Sequence, residues 1–495
     1  MKKTLYTIVC LFLLVSCKEE EIHTLSPEAL KIETEVLKQK VLFDAPGIAI
    51  GLIKNDTIVY TGAHGVRSLD TKEPLTTRSL FHMASVSKPF VATAIVQLVE
   101  QGKIDLDEKL THYLPYYTMA DARYKDITIK QMLAHTSGIP NIDDYEWDKP
   151  QYDDGAAERY ARSQNTEVLD FEPGTQYNYS NPAFDILCDV IAKTSGMTFE
   201  AYMKQSIFEP IGMKNSTFLK PEVPEDLATQ PHVFGDSLQS EVSAIYPYNR
   251  RHAGSSTLHS NVEDMLLWAQ VYLNKGIING KRIYSEASYE LLTAVHTPED
   301  QRKICLSWFP GRINESPIYY HGGQDTGFNS FFGFVPEHNT AIVMMANTDY
   351  FWRTNNAAII LKNIIFDDTL RSRAPIHFKL KDCILKGGIE KMKAIYFEEK
   401  QKSPQDYYFN DGELDDLGYW LIDRNHLKPA LDVLLFQTEV EPDHAGWVDS
   451  VGDAYKEMDS IDLAIKWYKK ALEMKPDQDF SKEKLDKLLA SQPKG

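Results

Sequence analysis

Cysteine is scarce in this 495-residue chain: five in all, at positions 10, 17, 188, 305 and 383. No pair forms CxxC, there is no HExxH, and no His and Asp residues cluster tightly along the sequence. These gaps argue against a disulfide framework and leave no metal-ligand spacing, so neither a metal nor a cofactor is expected. Basic residues are also in deficit, 53 Lys and Arg against 71 Asp and Glu, for a net charge of −18. That balance argues against nucleic acid or an anionic membrane surface as the main partner. What is present is ordinary for a globular protein, 43% hydrophobic and 25% charged, with length enough for two or three domains.

The front of the chain reads as a targeting segment. A basic "MKK" precedes "TLYTIVCLFLLV", an apolar stretch too short to span a bilayer and remain there. It ends in "LVSC", which resembles a bacterial lipoprotein cleavage box with Cys17 as the lipidated first mature residue; an ordinary secretory signal is the plainer alternative. Residues 1–17 are therefore expected to be a signal peptide. The implied location is the cell envelope, at a bacterial membrane, the outer one foremost. Acyl chains anchor through about 0.8 kcal/mol per buried CH₂. The following "KEEE" resembles a surface-export signal of some Gram-negative lipoproteins and equally suits a solvated tether over 18–27. Cys188, in the helical pattern "NPAFDILCDVIAKTSG", is expected to be a buried apolar residue.

Residues 28–370 mix strand and helix patterns. "PGIAIGLIKNDTIVYTGAHGVRSL" places two β-branched runs about a polar "KND" turn, a hairpin, and "YYHGGQDTGFNSFFGFVPEHNTAIVMMAN" does the same late in the region. Strands at both ends with helices between predict one antiparallel sheet built from both termini, flanked by helices: an α+β fold. Residues 371–404 read as a connector. Over 405–490 the sequence repeats with a 34-residue period, Gly418 matching Gly452, Ala430 matching Ala464 and Pro442 matching Pro476. That period resembles tetratricopeptide repeats, closed by a capping helix "FSKEKLDKLLA". Two repeats are few for independent stability, so this module is expected to pack on the rest of the chain or on a protein partner.

The stretch from His82 to Leu106 reads as one amphipathic helix with Ser85 and Lys88 near its front. Residues three apart share a helix face. A serine hydroxyl needs a base to become a nucleophile, and a lysine pushed toward its neutral form by burial can be that base. Alone, S-x-x-K is a weak signal, and it recurs at Ser481 and Lys484 in the capping helix. Two further motifs follow Ser85: Tyr179-Ser180-Asn181 just before a helix, and His321-Gly322-Gly323 at the head of a hairpin.

The order S-x-x-K, Y-x-N, H-x-G resembles the serine β-lactamase-like hydrolases: class C β-lactamases, D-Ala-D-Ala carboxypeptidases and related esterases and D-aminopeptidases. "FHMASVSKPF", "MLAHTSGIP", "FEPGTQYNYSN" and "IFEPIGMKNSTF" add to it, over about 45–350. The resemblance implies a β-lactamase/transpeptidase-like fold, an antiparallel sheet flanked by helices plus an all-helical domain. It implies Ser85 as the acylated nucleophile, Lys88 as its partner, and Tyr179 as general base or proton shuttle. Asn181, His321 and Gly323 would contact substrate, and the backbone N–H groups of Ser85 and Gln324 would form the oxyanion hole. Gly323 would let substrate lie against the strand unobstructed. Many relatives carry K-T-G where this chain has His321; a mostly neutral histidine implies a weaker demand for a substrate carboxylate.

His135 reads as structural at a helix end. His252 and Gly254 read as a family loop rather than a third motif, and "DYEWDKPQYDD" reads as a solvated loop more than a cleft wall. The implied function is a serine hydrolase acting through an acyl-enzyme on an amide or ester: a D-amino-acid peptide, a peptidoglycan-like compound or a small ester. The alternatives are a silent binder of cell-wall-type ligands and a scaffold working through 405–490.

Overall fold

The structure, a computed structural model, describes residues 25–351, 353–410 and 412–491. The expected signal segment, the expected lipid site Cys17 and residues 18–24 of the expected tether lie outside the described residues, while Pro27, at the end of the stretch read as tether, already begins a helix capped by Ser26.

Six strands form the main sheet: β1 (Gly47–Lys54), β2 (Thr57–Gly65), β3 (Phe309–Ile313), β4 (Ser316–Asp325), β5 (Phe328–Val335) and β6 (Thr340–Ala346), in the order β2-β1-β6-β5-β4-β3. The β1–β2 hairpin turns through Asn55 and Asp56, both with positive φ (51° and 60°), as a two-residue turn matched to strand twist demands. β1 and β6 pair antiparallel from Ile48 opposite Ala346 to Lys54 opposite Thr340, joining the two ends of the sheet.

Alternation along the strands sends side chains to two cores. Ile48, Ile50, Leu52, Ile342 and Met344 meet α1 (Pro27–Leu42) and, across the same face, Ala357 and Ile360. Ala49, Ile53, Val343 and Met345 enter the larger core on the opposite face. There they join α2 (Lys88–Glu100), α3 (Asn181–Ser195) and α4 (Val262–Leu273). The fold is thus α+β, with helices on both faces of an antiparallel sheet.

The segment read as one amphipathic helix from His82 differs in two ways. Phe81–His82 is a short strand paired with His259–Ser260, Ala84–Ser87 is a 3-10 turn, and α2 begins only at Lys88. Every α2 residue from Lys88 to Leu98 is buried, so it is an interior helix rather than an amphipathic one. Cys188 is buried as expected, and Cys188, Cys305 and Cys383 are all free thiols.

The stretch 371–404 is mostly helix rather than linker. Ala374–Pro375 pairs with Tyr407–Tyr408, and α5 (His377–Gln401) kinks at Gly388, where φ is 72°. Five helices follow: α6 (Glu413–Asp423), α7 (Leu427–Val440), α8 (Ala445–Glu457), α9 (Ile461–Met474) and α10 (Asp479–Ser491). α7 and α9 begin and end 34 residues apart. A Cβ on Gly418 would strike Leu434, and one on Gly452 would strike Tyr468, the same contact one period later. These helices pack on the sheet domain. Arg424 donates to the carbonyls of Phe234 and Gly235, and Trp420 lies 5.3 Å from the Phe234 ring.

Candidate active site

The turn carrying Ser85 is held from three sides. Met83 N–H donates to the Leu258 carbonyl, Leu258 N–H donates to Ser87 Oγ, and Ser330 Oγ donates to the Met83 carbonyl. Ala84 sits in the left-handed region at φ 47°, a conformation that side-chain-bearing residues adopt only when their surroundings impose it. The chain then enters α2, so Lys88 lies one turn beyond Ser85.

Lys88 Nζ donates to Ser85 Oγ at 3.0 Å and to the Ser255 carbonyl at 2.8 Å. It stands 5.0 Å from the centre of the Tyr179 ring. Burial pulls its pKa from 10.5 down to about 7, against the opposing pull of the Asp185 and Asp325 carboxylates.

Tyr179 is placed by the second residue past the helix Ile129–Leu133. His135 accepts from Asn178 N–H through its carbonyl and from Ser180 N–H through Nδ1 (3.1 Å), and its ring stacks on Tyr179 with centroids 4.3 Å apart. Burial holds His135 well below its ordinary pKa, with Lys88, His321 and Arg302 adding to the effect; it is a neutral ring. Burial also raises Tyr179 above 10, offset in part by its hydrogen bond with Ser85. Ser180 then caps α3, its hydroxyl accepting from Ala183 N–H at 3.2 Å. This leaves Asn181 at the mouth of the site.

Asn181 donates to the Tyr145 hydroxyl. Tyr145 in turn stacks on Trp147, with centroids 4.8 Å apart. The aromatic loop read as solvated therefore contributes Tyr145 to the wall of the cavity.

β3 pairs with β4 only as far as Tyr320. From His321 onward the strand leaves one side to the Ser85 turn. His321 is buried, its ring edge-on to Phe309 at 5.1 Å and 6.4 Å from Tyr179. Gly323 faces the Ser85 turn: a Cβ there would lie 3.0 Å from Ser85 N and closer still to Met83 O and Ser330 Oγ. Its lack of a side chain is thus required by packing against that turn. Gln324 is exposed at the rim, its Nε2 donating to the Asp349 carbonyl at 3.3 Å.

Two His–Asp pairs support this arrangement, His252–Asp185 fully buried and His82–Asp325 with a buried imidazole and a carboxylate at the cavity wall, and sequence reading passed over both. His82 Nε2 lies 2.8 Å from Asp325 Oδ2, to which Ser256 Oγ also donates. His252 Nδ1 lies 2.8 Å from Asp185 Oδ2, and Asp185 Oδ1 accepts from Ser255 N–H at 2.9 Å. Arg251 Nε donates to His252 Nε2, so Nδ1 carries the proton. Asp185 thereby fixes the carbonyl that receives Lys88. The available signals were small: Asp325 lies two residues past the third motif, and Asp185 one turn past Asn181.

Ser85, Tyr179, Asn181, His321 and Gln324 line one cavity of about 390 Å³, together with Tyr145, Asp325 and Arg302. That is a volume suited to a small molecule or peptide end. By contrast, Ser481 hydrogen-bonds Asp449, and Lys484 pairs with Asp449 and Asp453. The second S-x-x-K is thus committed to helix packing.

The Beta-lactamase family profile matches residues 39–363. Protein flp of Staphylococcus aureus (strain MW2) is 25% identical over 305 residues, covering 61% of this chain but only 59% of flp. Among solved structures, the octameric penicillin-binding protein homologue from Pyrococcus abyssi superposes with a TM-score of 0.61 at 22% identity, over 68% of this chain and 77% of that one. The Beta-lactamase/D-Alanine Carboxypeptidase from Pseudomonas syringae gives 0.58 at 19% identity, over 70% and 100%. With the profile running from α1 through the last sheet strand, the chain belongs to the Beta-lactamase family.

Proposed function

We propose that the chain is a serine hydrolase that forms an acyl-enzyme on Ser85. One observation carries this reading: a buried lysine with a pKa near 7 sits 3.0 Å from a serine hydroxyl that opens into a cavity. A group poised near the working pH is what proton transfer requires. The neutral Lys88 amine takes the Ser85 proton as Oγ bonds to the acyl carbon. The oxyanion meets the backbone N–H groups of Ser85 and Gln324. Tyr179, whose raised pKa keeps it a phenol, relays the proton to the departing amine or alcohol. Water then attacks the ester at Ser85 by the reverse relay, returning the hydroxyl and releasing the acid. Asn181 and His321 flank the acyl chain.

The substrate class that fits is a small amide or ester, including a D-amino-acid peptide, a reading supported by the name of the Pseudomonas syringae neighbour. His321 supplies no permanent cation beside Ser85. Arg302 supplies one at the exposed rim, its guanidinium 4.7 Å over Phe309, where a substrate carboxylate would meet it.

We further propose a tetratricopeptide-like helical module over 405–490 that docks on the hydrolase domain, and a lipid anchor at Cys17. The repeated Gly–Leu and Gly–Tyr contacts support the first and the "LVSC" box the second. A fluorophosphonate probe should label the protein, and Ser85→Ala should abolish labelling without changing the thermal melt. Retained labelling refutes the acyl-enzyme. Turnover of a penicillin far above that of a p-nitrophenyl ester and a D-amino-acid amide refutes the substrate class.

A further inference from the structure

Outside the hydrolase pocket, His377 opens α5 while Glu413 and Asp416 stand one turn apart at the start of α6. His377 Nδ1 lies 3.2 Å from Glu413 Oε2 and 3.8 Å from Asp416 Oδ2, and the three donor atoms fall within 4.8 Å of one another. We propose that this cluster binds a zinc-class divalent ion. The three residues are 36 and 39 positions apart at their widest, so no spacing motif announces them, and the expectation of no metal rested on such motifs alone.

Three observations point to an ion rather than a plain ion pair. The first is distance. Ligand atoms held about 2.0–2.2 Å from a tetrahedral ion stand roughly 3.3–3.6 Å from each other, and the two separations from Nδ1 bracket that range. The second is satisfaction. His377 is 4% and Glu413 7% exposed, yet neither His377 Nδ1 nor Glu413 Oε2 makes a hydrogen bond among the described residues. Buried polar atoms are normally paired, and a buried ion pair without hydrogen bonds recovers little of its desolvation cost. Two atoms that converge without bonding each other suit a common third partner. The third is chemistry. One imidazole nitrogen with two carboxylates suits zinc and its neighbours, whereas calcium and magnesium take shells of oxygen.

Three protein ligands leave a coordination position free. His377 and Asp416 line a cavity of about 430 Å³, which shares Gln324 and Thr354 with the cavity around Ser85. The ion would pin the N-terminus of α6 to that of α5, beside the reaction chamber, and present its open position to an anionic group in the adjoining cavity. This proposal is independent of the acyl-enzyme reading.

Trp420 provides a reporter, its ring 4.6 Å from that of His377. Full-length protein, stripped with chelator, is titrated with zinc chloride by calorimetry and tryptophan fluorescence. One equivalent should bind with a fluorescence change that Trp420→Phe removes. His377→Ala should abolish binding. Asp416→Asn, at a carboxylate whose side chain is 64% exposed, should weaken it at least tenfold while leaving the melt of the stripped protein unchanged. Millimolar magnesium should give no fluorescence response. The absence of saturable zinc binding overturns the proposal, as does binding of equal strength in both variants, which would place the ion elsewhere.

Discussion

Lys88 sets the pH at which this protein should work. An amine of pKa 10.5 is neutral in about 3 molecules per 10,000 at pH 7; with its pKa drawn down to about 7 by burial, half are neutral. The gain in competent base is on the order of a thousandfold, equivalent to about 4 kcal/mol at 1.36 kcal/mol per tenfold. kcat/KM for a p-nitrophenyl ester should therefore rise tenfold per pH unit below 7 and level off above it. Asp325 pulls the Lys88 pKa upward, so Asp325→Asn should move the rise to lower pH. His321→Asn should leave it in place, separating lysine from histidine titration. A profile flat from pH 5 to 9, a rise centred near 10, or a shift toward higher pH in Asp325→Asn would refute the assignment. The same shift carries a stability consequence. Lys88 has a lower pKa folded than unfolded, so the unfolded chain binds more protons between about pH 7 and 10.5. Stability contributed by this group therefore increases with pH through that window, and Lys88→Met should flatten the increase in urea denaturation.

Gly323→Ala should lower the rate constant for labelling at least a hundredfold, because its methyl displaces the Ser85 turn; overpacking of this kind costs about 1–3 kcal/mol, readable in the urea midpoint. Asp185→Asn sets an amide N–H₂ or a lost acceptor against His252 Nδ1–H and Ser255 N–H, and should cost about 3 kcal/mol of unfolding free energy. Arg424→Ala frees the carbonyls of Phe234 and Gly235; it should speed limited proteolysis between α5 and α6 while leaving Ser85 labelling intact. Cys17→Ala should move the protein from the membrane to the soluble fraction on centrifugation.

The strand hairpins were legible because alternation and the Asn55-Asp56 turn are local signals. The three motifs were legible because each is only three or four residues long. What escaped was whatever is fixed by distant partners. The start of α2 was misplaced because Leu258 and Ser330 hold Met83 to Ser87 off the helix, and nothing near residue 85 shows it. His82 and Asp325 are 243 positions apart, His252 and Asp185 67; each is an unremarkable polar residue until folding joins them. Tyr145 looked solvated because its neighbours are charged, yet its ring is covered by Trp147 and its hydroxyl by Asn181.

The pairing of β1 with β6, Ile48 against Ala346, has a consequence for synthesis. The first half of the domain emerges with Ser85 and the β1–β2 hairpin but with no partner for the other edge of β1, and nearly three hundred residues must follow before the sheet can close. Long sequence separation of this kind slows folding. The Ser85 turn gains its neighbours on β4 and β5 only after translation has passed residue 330, and the sheet closes only after it has passed residue 346.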